Sequence, residues 1–78
     1  MKIYRVWQED VTGYDTYDSC VVIAEGINRA KRISIEGLVG MSELYPAWTR
    51  DIHKVHATEI GIAHSNEEEI VVASFNAG

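Results

Sequence analysis

The chain has 78 residues, enough for one domain with a thin core, and twelve acidic against seven basic side chains give it a net charge of −5. This excess of carboxylates disfavours direct binding to nucleic acid, which needs clustered Lys and Arg, and suits a basic protein surface instead. The longest apolar run, residues 20–24, is too short to cross a bilayer, and the N-terminus lacks a signal peptide's apolar core. We therefore expect a single cytoplasmic domain over residues 1–78, with no membrane contact.

The first elements are predicted to form a β-hairpin. Residues 2–8, KIYRVWQ, have the β-branched and aromatic content of a strand, with Trp7 on the opposite face from Tyr4 and Val6. The next segment, EDVTGYD, has turn chemistry, and strand character resumes over residues 17–25.

One short helix is predicted after the hairpin. Apolar residues recur at near-helical spacing over residues 27–36, and Gly37 is expected to end the helix. Residues 38–50 show no clear period and predict a long connection with at most one helical turn. Three of its apolar side chains are expected to tuck under the sheet: Leu38, Leu44 and Trp48.

Strand character returns over residues 52–63 and, after the polar turn HSNEEE, over residues 70–75. The order β-β-α-β-β predicts an α+β fold, a small antiparallel sheet with one helix packed on one face. The other face, if Trp7 lies on it, would be a partly exposed apolar surface available to a partner.

The sequence offers little to bind a metal or cofactor, and we predict neither. A single cysteine, Cys20, lies in an apolar strand and is expected to be a small buried hydrophobe. Of the three histidines, His53 and His56 are three residues apart, so in a strand they point to opposite faces and do not converge on one ion.

Two Tyr-Asp pairs in GYDTYDS are the most distinctive feature of the hairpin. Asp15 and Asp18 are also three residues apart, so in a regular strand they would point to opposite faces and could not act together as general acid and base. No nucleophile motif or phosphate-binding loop accompanies them, so we expect no enzymatic activity. Tyr supplies a large, rigid contact area beside a charge that steers approach. If the two turns share one side of the sheet, their carboxylates would together suit a basic groove. The residues predicted to bind a partner are Tyr14, Asp15, Tyr17 and Asp18 of the hairpin and Glu67, Glu68 and Glu69 of the second turn.

The segments GYDTYDSCVVIAE and VVASFNAG, with a Trp between them, resemble a family of small proteins found in bacteriophages, prophages and bacterial genomes. The resemblance covers residues 1–33 and 48–78. The helix segment GINRAKRIS and the inserted-looking residues 36–45 depart from the family pattern. The resemblance implies a mobile-element setting in a bacterial host cell, and it carries over no catalytic residue.

Two functions remain open on these observations. The first is a non-enzymatic protein that binds and inhibits or modulates a host protein, most concretely an anti-CRISPR-like inhibitor that occupies the basic nucleic-acid-binding surface of a CRISPR effector subunit. The second is an interaction module without inhibitory activity, which forms a homodimer through an edge strand or through the uncovered sheet face.

Overall fold

A computed structural model describes residues 1–76; the last two residues of the C-terminal ASFNAG motif lie outside the described part. It contains a four-stranded antiparallel sheet with one α-helix on one face, so the predicted α+β order is confirmed. The elements in chain order are β1 (Lys2–Gln8), β2 (Thr16–Ala24), α1 (Ile27–Leu38), a 3-10 turn (Ile52–Lys54), β3 (Val55–Ile62) and β4 (Glu69–Asn76).

The sheet has the strand order β3-β1-β2-β4, with every neighbouring pair antiparallel. The N-terminal hairpin β1–β2 therefore forms the centre, in a register that runs from Lys2 opposite Ala24 to Trp7 opposite Ser19. The two later strands add at the outside, β3 beside β1 and β4 beside β2.

The core lies between α1 and one face of the sheet. Alternate residues of the central strands, among them Val6 and Val22, are fully buried there, as the predicted two-faced pattern of β1 requires. Trp48, from the long connection, is also fully buried. Leu44 is 84% exposed, so its predicted place under the sheet is wrong. The remaining buried apolar members of this cluster are Tyr4, Cys20, Ala24, Ala30, Leu38 and Val55.

The helix is longer than the sequence predicts, because Gly37 lies inside it and Leu38 ends it. Glycine weakens a helix interior, but here its missing side chain is useful. A Cβ built at Gly37 would lie 2.5 Å from Cδ1 of Ile70 on β4. The glycine thus allows close approach between the last turn of α1 and the edge strand.

The third strand begins three residues later than predicted. The Asp51 side chain accepts a hydrogen bond from the backbone N–H of His53 at 2.9 Å, and this cap turns residues 52–54 into a 3-10 turn. Further along, the register between β1 and β3 passes from Gly61 to Glu59, which leaves Ile60 as a bulged residue.

Candidate protein-binding surface

The tip of the β1–β2 hairpin carries Tyr14 and Asp15, two of the predicted contact residues. Gly13 (φ +104°) and Asp15 (φ +59°) both have left-handed backbone conformations, which Gly and Asp adopt more readily than most residues. The Thr16 hydroxyl donates to the Gly13 carbonyl at 2.7 Å, which closes the turn. Tyr14 is 79% exposed, so its ring is free to contact a partner.

The second Tyr-Asp pair, Tyr17 and Asp18, has a different environment from the first. Tyr17 is half-buried on the helix side and packs against Phe75 of β4, with ring centroids 4.8 Å apart and the ring planes inclined by 54°. Asp18 is exposed at a bulge, where the Ser19 hydroxyl donates to its carboxylate at 3.2 Å. Tyr17 is thus largely a packing residue, and three of the four Tyr and Asp side chains of the GYDTYDS motif are exposed: Tyr14, Asp15 and Asp18.

Gln8 holds the hairpin end in place from the buried side, a role the sequence does not signal. Its amide donates to the carbonyls of Val11 (2.7 Å) and Tyr17 (2.9 Å) and accepts from the Val11 N–H at 2.8 Å. Nearby, Asp10 accepts from the Thr49 hydroxyl at 2.7 Å and from Lys54 at 3.0 Å. These two hydrogen bonds hold the pKa of the Asp10 carboxyl below its usual range.

In the second acidic turn, Glu68 is a structural link. Its carboxylate accepts from Nε of Arg29 at 2.8 Å and from the backbone N–H of Glu25 at 3.2 Å, so it ties the start of β4 to the start of α1. The hydrogen bond from Arg29, with a smaller effect from Glu25, lowers the pKa of the Glu68 carboxyl. Glu67 and Glu69 are exposed and are the members of this turn available to a partner.

The two acidic turns lie at opposite ends of the sheet. Thr16, next to the hairpin tip, pairs with Asn76, whereas Ile23 at the far end of β2 pairs with Glu69. Seven residues of strand separate these points, about 24 Å. The carboxylates therefore do not form the single acidic surface that a shared side would have produced.

The sheet surface opposite α1 is here called the open face. The register places Arg5 and Trp7 of β1 and Val21 of β2 on it, and Thr58 and Val72 lie opposite Arg5 and Val21 on the edge strands. Among residues 1–76 no helix or strand covers this face. Val72 is 58% exposed, and Trp7 is only half-buried although it lies on a central strand.

Three ring and guanidinium groups are arranged along the open face. The Arg5 guanidinium lies 4.7 Å from the centre of the Trp7 ring, and the ring of His56 lies 5.6 Å from Trp7 on the other strand. A cation over an indole ring at this distance is favourable and holds both side chains in place. None of the three ion pairs among the described residues includes Arg5.

Beside Arg5 the open face contains a shallow hollow of about 190 Å³. Its walls are mostly apolar, from Val21, Ile60 and Val72, with the hydroxyl residues Ser19 and Ser74 at one side. The bulge at Ile60 contributes one wall, so the irregularity in β3 helps to shape it. A cation beside a small apolar hollow can accept an apolar side chain together with a neighbouring carboxylate.

Cys20 is 3% exposed, as predicted, and burial raises the pKa of its thiol to about 11. His53 lies on the 3-10 turn and His56 on the open face; no group of three metal-ligating side chains occurs among residues 1–76. No helix in this part of the chain has both the length and the apolar character needed to cross a membrane.

Comparison of the chain with protein-family models, with curated proteins and with solved structures finds no significant match.

Proposed function

We propose that this chain is a non-enzymatic domain that binds another protein through its open face and thereby modulates that protein. The observation that carries the proposal is the Arg5 guanidinium, which lies over the Trp7 ring on the open face and takes part in no ion pair within residues 1–76. Exposed apolar surface with a central aromatic and arginine is typical of the residues that dominate protein interfaces.

Arg5 defines the chemistry of the partner. A purely apolar partner would bury the guanidinium without compensation, which costs free energy. A partner with a carboxylate beside an apolar side chain would pair with Arg5 and fill the hollow formed by Ile60 and Val72. A face-to-face dimer of this chain is disfavoured, because Arg5 lies on a central strand and a two-fold axis there would bring two guanidinium groups together.

The test is affinity capture from bacterial lysate with quantitative mass spectrometry, comparing the natural chain with two variants. Arg5→Glu reverses the charge on the open face, and Lys31→Glu makes the same change in net charge on α1. A specific protein that is captured by the natural chain and by Lys31→Glu, and about tenfold less by Arg5→Glu, supports the proposal. Equal capture by all three, or equal loss with both variants, contradicts it.

Direct binding to the captured protein can then be followed through the two tryptophans. Trp48 is fully buried and serves as an internal reference, whereas Trp7 is half-buried on the open face. Binding at that face should shift the Trp7 emission to the blue and protect it from acrylamide. The signal should be absent in Trp7→Phe.

An acidic inhibitor of a CRISPR effector is the second candidate, and the net charge of −5 favours it. The acidic turns lie at opposite ends of the sheet, so the contribution of each can be tested by itself. A target-DNA cleavage assay tests this with the double variant Glu67→Gln/Glu69→Gln, which leaves the structural Glu68 intact. Inhibition that is lost in this variant, and that falls as salt rises, supports the acidic turn as the contact.

A further inference from the structure

We propose that the outer edge of β4 is a second interaction surface, which pairs antiparallel with β4 of a second copy of this chain. In the described part of the protein β4 has a neighbour only on its β2 side. An unpaired edge strand presents free N–H and C=O groups and is a template for another strand.

The composition of the two edges differs in a way that selects β4. Edge strands are commonly protected by charged side chains, and β3 follows this rule: its Glu59 forms an ion pair with Lys2 at 3.1 Å. By contrast, residues 70–76 of β4, IVVASFN, contain no charge and no proline. Both edges expose apolar side chains, Ile60 and Ile62 on β3 and Val71 and Phe75 on β4, so the absence of charge is the feature that selects β4.

Backbone alternation fixes the register of the pairing. The carbonyl of Asn76 accepts from the N–H of Asp15, so it points toward the β2 side. In an antiparallel ladder successive residues point their backbone groups to opposite sides, so Phe75 and Ala73 direct theirs outward. A two-fold axis beside Ser74 then places Ala73 of each copy opposite Phe75 of the other. These two equivalent pairs supply four backbone hydrogen bonds.

Side-chain size and charge agree with this register. Paired residues share a face, so the large Phe75 would cover the small Ala73 of the other copy. Antiparallel pairing also sends the Glu67 and Glu69 of the two copies to opposite ends, whereas a parallel pair would set them side by side. A two-fold axis perpendicular to the sheet would join the two open faces into one continuous surface of eight strands.

The experiment combines sedimentation with amide hydrogen exchange of the full chain. The paired segment is short, so we expect a dimer that forms as concentration rises, with the amides of Ala73 and Phe75 becoming protected in parallel. A monomer at all accessible concentrations, or a dimer in which these two amides gain no protection, would overturn the proposal.

Two lysine variants provide the matched comparison. Ser74→Lys puts two like charges opposite one another across the axis and should weaken the dimer about tenfold or more. Thr58→Lys makes the same change at an exposed position on the other edge strand and should leave it intact. An unchanged dimer in Ser74→Lys, with folding verified by circular dichroism, also refutes the β4 contact. Ser74 also lines the hollow beside Arg5, so the open face is tested separately with Arg5→Glu, which lies on β1 and should reduce partner capture while leaving the dimer intact.

Discussion

Replacing Gln8 by leucine tests whether a buried side chain holds the hairpin end. Gln8 is 2% exposed and makes three hydrogen bonds, all to the backbone of Val11 and Tyr17. Leucine has a similar size and none of these bonds. The loss of three hydrogen bonds destabilises the fold by about 1 kcal/mol each, and burial of the apolar leucine side chain recovers about 1 kcal/mol of this. The net expectation is a decrease of about 2 kcal/mol in the free energy of unfolding.

Urea denaturation followed by tryptophan fluorescence measures this change, and the melting temperature should fall by roughly 10 °C for a domain of this size. Glu9→Leu is the matched control, because Glu9 is the exposed neighbour and its replacement should change stability by no more than about 0.5 kcal/mol. If Gln8→Leu loses no more than this control, the hydrogen bonds do not stabilise the hairpin end and the reasoning is wrong.

Three further predictions concern pH, the thiol and the helix. Because the folded pKa of Asp10 is depressed, its contribution to stability is present at neutral pH and disappears as the pH falls through that lowered pKa; Asp10→Asn should flatten the acid side of a stability profile measured between pH 2 and pH 7. With its pKa raised to about 11, Cys20 should react with a thiol reagent at pH 8 on the order of 10²-fold more slowly than an unfolded cysteine, and equal rates in the presence and absence of urea would contradict its burial. Gly37→Ala should change the free energy of unfolding by less than about 1 kcal/mol, because the higher helix propensity of alanine is offset by the close contact of its Cβ with Cδ1 of Ile70. In an Ile70→Val background, which lacks Cδ1, the same change should stabilise the protein. Identical effects in both backgrounds would show that the contact does not matter.

Local pattern was sufficient to predict the fold class and the order of the elements, but not the order of the strands in the sheet. The alternation in residues 2–8 predicted β1 with its correct bounds, and it correctly separated Trp7 from the buried Tyr4 and Val6. The predicted helix end was wrong, because the glycine at position 37 is explained by its close approach to Ile70, more than thirty positions away in the sequence. Local propensity contains no information on such a contact.

The candidate site was only partly predictable for the same reason. Exposed tyrosines and carboxylates can be read from composition, which is how Tyr14 and Asp15 were found. The separation of the two acidic turns depends on the pairing of β4 with β2, and the role of Glu68 depends on Arg29, neither of which leaves a local signal. Arg5 could have been identified from its place between Ile3 and Trp7, on the face predicted to be uncovered.

The strand order also has a consequence for the sequence in which the chain folds during synthesis. Of the four strands, the two central ones are synthesised first, and they are joined by a short turn, so their pairing closes only a small loop. Both outer strands come from the second half of the chain and add to the edges of this hairpin, and Trp48, from the same half, packs into the core beneath it. This chain order favours assembly from the centre of the sheet outward, and β4, which carries no charge over residues 70–76, is the last of the four strands to be synthesised.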